Sequence, residues 1–97
     1  MMTQSNTIQE AIQMINNHDW FWMMTDSGYD HYRESAKSHM RSFVKVVSTI
    51  ENANIREMLR NLWMLRWEAA RNSINGRKDE ENQAKQDALM NALAVAA

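Results

Sequence analysis

Proline is absent from this chain, and glycine occurs only at Gly28 and Gly76. Tight turns between strands draw on these two residue types, so a chain almost without them is pushed toward long helices joined at few points. The periodicity agrees. Ile8, Ala11, Ile12 and Ile15 recur at the three- and four-residue steps of one helical face, behind a Thr7-x-x-Glu10 capping box. Asn16, Asn17 and Asp19 are poor helix formers, so this first helix either ends near Asn17 or runs on, kinked, to Met24. Thr25, Asp26, Ser27 and Gly28 then interrupt the pattern, with Asp26 or Ser27 placed to cap the next element. Tyr29, Tyr32, Ala36, Met40, Phe43, Val47 and Ile50 form the longest stripe. Asn54 and Glu57 read as a second capping box, ahead of Ile55, Met58, Leu59, Leu62, Leu65 and Ala69, and Gly76 closes that helix as its C′ residue. Asp79, Glu80 and Glu81 suit the positive end of a last helix, whose stripe is Ala84, Ala88, Leu89, Ala92, Leu93 and Ala96.

The expected fold is therefore all-α: an elongated four-helix up-down bundle with helices near 7–24, 28–51, 54–75 and 79–95. The 97 residues make a single helical domain, with residues 1–6 expected to be a disordered N-terminus. The middle helices span roughly 33–36 Å at 1.5 Å per residue. A compact chain of this length has a radius of gyration of only about 12–13 Å. Elongation leaves a long groove to cover, and dimerisation is one way to cover it.

The segment Trp20-Phe21-Trp22-Met23-Met24 is the strongest departure from amphipathic patterning. In a helix these side chains circle the whole axis, and in a strand they divide between two faces. Either geometry presents two apolar faces at one level of a small domain. The segment is thus a passage through the core, a partner surface or the wall of a ligand pocket. The partner reading assigns Trp20, Phe21, Trp22 and Met23 to an interface with a second copy of the chain, since large apolar patches seldom stay wet.

Composition narrows the functional classes. Without cysteine there is no disulfide, thiolate ligand or thiol nucleophile. A formal net charge of −1 argues against a polyanion binder on global electrostatics. The N-terminus lacks a basic start and an apolar run of signal length, and no stretch approaches a bilayer span, so a cytoplasmic protein without membrane contact is expected. No serine lies in a nucleophile elbow, and no glycine-rich phosphate loop occurs. His18-Asp19 is an acid–base pair only by adjacency, because neighbours on a helix do not face one another. His31, Glu34 and His39 offer one partial metal set without the second that a bundle centre needs. No enzyme, cofactor or metal is expected.

Charge patterning supplies a rival. Between residues 54 and 78, Arg56, Arg60, Arg66, Arg71, Arg77 and Lys78 face only Glu57 and Glu68, and Arg60, Trp63, Trp67 and Arg71 interleave cations with aromatics. Arg56, Arg60, Arg66 and Arg71 are the candidate contacts of a nucleic-acid-binding accessory protein. The alternative is that the tryptophans pack inward while the arginine stems cover them, balanced by Glu10, Asp19, Asp26 and Asp30 in the first third of the chain.

Across "HDWFWMMTD" and "MRSFVKVVSTIENANIREMLRNLW", within residues 7 to about 70, the chain resembles a loosely defined group of small helical proteins from gut-dwelling bacteria and their mobile elements. That resemblance implies a bacterial accessory protein and carries over no site residue or activity. Taken together, the residues lead to the expectation of a non-enzymatic interaction module that self-associates as a homodimer, with another protein partner or nucleic acid as the alternatives.

Overall fold

The computed structural model describes residues 4–18, 20, 29–74, 76 and 79–96. It is all-α, with four helices in the order expected: α1 (Gln4–Asn17), α2 (Tyr29–Ser48), α3 (Ala53–Ile74) and α4 (Glu80–Ala96). Among the described residues there is no strand. Successive helices run up and down, and α3 packs most heavily on α4 while α1 packs on α2. The two hairpins meet chiefly through α1 and α3, and α2 touches α3 less. The radius of gyration is 14.2 Å and the extents are 42 × 30 × 17 Å. At an interaxial spacing of about 8–10 Å, the short dimension holds only two helix layers. The bundle is elongated, as its helix lengths require, and it is also flat.

The ends of α1, α2 and α3 and the starts of α3 and α4 have identifiable local causes. α1 takes the first of its two possible endings and stops at Asn17, with His18 N donating to Met14 O at 3.1 Å. The Trp20 indole N–H then reaches back to Ile15 O at 2.8 Å, satisfying a carbonyl that the helix terminus leaves open. At its other end α1 begins at Gln4, which takes in residues 4–6 and places Thr7 inside the helix rather than at its cap. The Thr7 capping expectation is thus corrected: a helix carried one turn further leaves no terminal amide beside Thr7.

α2 closes with tightened i→i−3 bonds, Thr49 N to Val46 O at 3.1 Å and Ile50 N to Val47 O at 3.0 Å. The Ser48 and Thr49 hydroxyls donate to Lys45 O and Val46 O, both at 2.7 Å. The cap of α3 is Asn52, not Asn54. Its Oδ1 accepts from Asn54 N at 2.9 Å and Ile55 N at 3.3 Å, so the capping residue lies two positions before the expected one. Gly76 ends α3 as expected, with φ +73° and its N–H donating to Ser73 O at 3.0 Å. Asp79 caps α4, accepting from Asn82 N at 2.9 Å, and its second oxygen takes a 3.0 Å bond from Asn72. Asp26, Ser27 and Gly28, assigned to the start of α2, lie outside the described residues.

The core gathers Ile8, Ala11 and Ile15 from α1, Phe43, Val47 and Ile50 from α2 and its end, Ile55, Leu59, Leu62, Trp63 and Ala70 from α3, and Leu93 from α4, together with Trp20. The expected α1 and α3 stripes are buried or half-buried and α2 contributes Phe43, Val47 and Ile50, with two corrections. Met40 stands 45% exposed, because it lines an open cleft beside Trp63 and Trp67 rather than the closed core. The α4 stripe is wrong for its alanines: Ala84, Ala88, Ala92 and Ala96 are all exposed. The face α4 turns inward is Asn82, Gln86, Leu89, Met90 and Leu93. Two amides take part in that face because they satisfy one another. Gln86 Nε2 donates to Asn82 Oδ1 at 2.6 Å, and Asn82 Nδ2 donates to Leu65 O on α3 at 3.0 Å.

Candidate functional site

Among the described residues, two places join an apolar recess to the aromatic or charged side chains of α3. The first is an aromatic cluster where the end of α1 meets the middle of α2 and α3. Trp63 is its hub. Its ring stacks on Phe43 (centroids 4.5 Å apart, planes at 24°) and meets Trp20 edge-on at 4.7 Å. The His18 ring is buried beside both indoles, 4.6 Å from Trp20 and 4.8 Å from Trp63, and it lies 5.6 Å from the His39 ring. Edge-to-face and offset geometries are the ones in which the positive rim of one ring meets the negative face of another. The cluster therefore holds its rings in fixed orientations. A cleft of about 220 Å³ opens beside it, lined by His18, Trp20, Ala36, Lys37, Met40, Trp63 and Trp67. Across His18 lies a second cavity of about 270 Å³, bounded by Glu10, Gln13, Met14, Asn17, His39 and Ser42.

The second place is a groove of about 440 Å³ between α3 and α4, lined by Asn61, Met64, Leu65, Glu68, Lys85, Ala88 and Leu89. Met64 is 54% exposed on its floor. Along α4, Ala84, Ala88, Ala92 and Val95 recur at helical spacing on one exposed face, and Val95 is 88% open to solvent. Ala88 belongs to both the groove and this face, and Glu68 of α3 and Lys85 of α4 line the groove.

The expected site residues distribute as follows. Trp20 is 8% exposed and belongs to the core, while Phe21, Trp22 and Met23 lie outside the described residues. Trp63 is buried and Trp67 partly buried, so the α3 tryptophans face inward. Of the four arginines, Arg56 donates to Ile50 O and, at 2.9 Å, to Glu51 O, closing the turn between α2 and α3. Arg66 donates to Asn16 Oδ1 on α1 at 3.0 Å. Arg71 lies over Trp67 with its guanidinium carbon 5.4 Å from the ring centroid, a cation–π contact. Arg60 is exposed. Arg56 and Arg66 thus tie elements together, and Arg71 covers an aromatic.

Among the described residues, no three histidine or carboxylate side chains gather as metal ligands. Asp19 and the His31 side chain are outside the described residues. No helix among the described residues is long and apolar enough to cross a membrane. The apolar α4 face escaped the sequence reading because its alanines were placed in the core. The signal for its true position was the pair Asn82 and Gln86, one turn apart, which can face inward only together. No family model, curated protein or solved structure matches the chain.

Proposed function

We propose that this protein is a non-enzymatic helical interaction module that self-associates, and that the contact surface is the α3–α4 groove with the adjoining α4 face. One observation carries the reading: Met64 in the groove and Ala84, Ala88, Ala92 and Val95 along one face of α4 are apolar and exposed, with Ala88 common to the groove and the face. Scattered apolar residues are ordinary on a surface, but a helical row of them beside a groove is not. Small side chains along α4 let another helix approach closely.

The lips of the groove favour a second copy as the occupant. A two-fold axis along the groove lays α3 of one copy over α4 of the other. Glu68 then faces the partner's Lys85 side, and the reverse holds by symmetry. Lys85 carries only an exposed ion pair with Glu81 at 3.4 Å, which is weak enough to exchange. Of the surface expected at residues 20–23, the Trp20 indole is bonded at the end of α1 and buried, and Phe21, Trp22 and Met23 lie outside the described residues. The nucleic-acid reading has less support, since Arg56 and Arg66 are committed to internal hydrogen bonds.

Light scattering coupled to size exclusion tests the proposal. The expected result is a dimer at tens of micromolar that becomes monomeric on Met64→Lys or Ala88→Glu, with unchanged helical content. Glu68→Lys should weaken it and the double variant Glu68→Lys/Lys85→Glu should restore it. A wild-type monomer under these conditions, or a dimer indifferent to all four variants, overturns the reading.

A further inference from the structure

We infer that the cleft between α2 and α3 beside Trp20 binds a small planar aromatic anion. The cleft shares no lining residue with the α3–α4 groove, so this inference stands apart from self-association.

Size comes first. An apolar cavity of about 150 Å³ is enough for benzene, and this cleft offers about 220 Å³. It admits one ring with a substituent or two fused rings, and nothing of nucleotide size. The walls select for aromatic character. Trp63 is held from behind by Phe43, and Trp20 is held by its bond to Ile15 O, so both indoles are in place before a ligand arrives. Rigid walls spare the ordering of rotamers that weakens most binding sites. Trp67 forms the outer wall, with Arg71 lying over its ring.

Charge is the last selector. Lys37 is the charged side chain among the described lining residues, and no carboxylate lines the cleft among them. Its ammonium is 3.7 Å from Glu34 in an exposed pair one turn away on the same helix. Such a pair is worth little in water and yields readily to a ligand carboxylate at the mouth. A ring laid against the indoles that line the cleft, with a carboxylate directed to Lys37, fits all three features. A neutral ring leaves Lys37 unused, and a cationic ring is repelled by it.

The test uses 2-naphthoate, with 2-naphthylmethanol as the neutral counterpart, on the full-length chain. Titration is followed by the four tryptophan indole N–H resonances and by calorimetry. Saturable binding of 2-naphthoate that shifts the Trp63 and Trp67 resonances supports the site. The naphthylmethanol should bind several-fold more weakly. Lys37→Ala, at a solvent-facing side chain, should weaken naphthoate several-fold while leaving naphthylmethanol unchanged. No resonance shift up to millimolar naphthoate, or equal affinity for both probes with and without Lys37, overturns the inference.

Discussion

The two amides buried between α3 and α4 offer a sharp test of what holds the last helix in register. Asn82 both accepts from Gln86 Nε2 at 2.6 Å and donates to Leu65 O at 3.0 Å, and both side chains are 4% exposed. Asn82→Ala removes the acceptor from a buried amide and leaves the Gln86 N–H groups without it. A stranded buried donor costs about 1–3 kcal/mol, more than the net worth of the bond itself. The expected loss is about 2 kcal/mol, which lowers the melting temperature by roughly 10 °C for a domain of this size. Asn82→Leu/Gln86→Leu removes both partners at once. Leu65 O keeps its place in the α3 ladder, and the new side chains bury apolar surface, so the double variant should lie within about 1 kcal/mol of wild type. The asymmetry is therefore the signature. The assay is urea unfolding followed by circular dichroism for Asn82→Ala, Asn82→Leu, Gln86→Leu and the double variant. A Met64→Lys background keeps dimerisation from coupling stability to concentration. A loss below about 0.5 kcal/mol for Asn82→Ala, or a double variant whose cost equals the sum of the two leucine variants, refutes the reasoning.

Two further outcomes follow from the helix ends. Asn52→Ala should destabilise by about 1 kcal/mol in the same unfolding assay while Asn54→Ala changes little, because Oδ1 of Asn52 alone caps α3. Gly76→Ala should cost about 1–2 kcal/mol although open space surrounds the added methyl, since φ there is +73°. A neutral result for Gly76→Ala would mean that the turn rearranges without strain.

Much of the helical framework was legible from local chemistry. The near-absence of breakers set the class, Gly76 marked the end of α3, and Asp79 marked the start of α4. Ile8, Ala11 and Ile15 read as one buried face and are one. Errors arose where two signals of similar strength competed. Asn52 and Asn54 are equivalent as cap formers, and the choice between them depends on the backbone path out of α2, which Arg56 fixes by bonding to Ile50 O and Glu51 O. Of the candidate sites, Trp20 and the arginines could be named but not placed.

The amino-acid sequence by itself determined the number of helices, their order and most of the surface each one hides, because periodicity and capping act over a few residues. The tertiary structure alone decided which face of α4 turns inward. A buried amide is tolerable only when its partner arrives from another turn or another helix, and such partnerships lie beyond local pattern. Packing against Trp63 of α3 likewise drew the Trp20 indole into the core, and the inward amide face left the alanines of α4 in solvent.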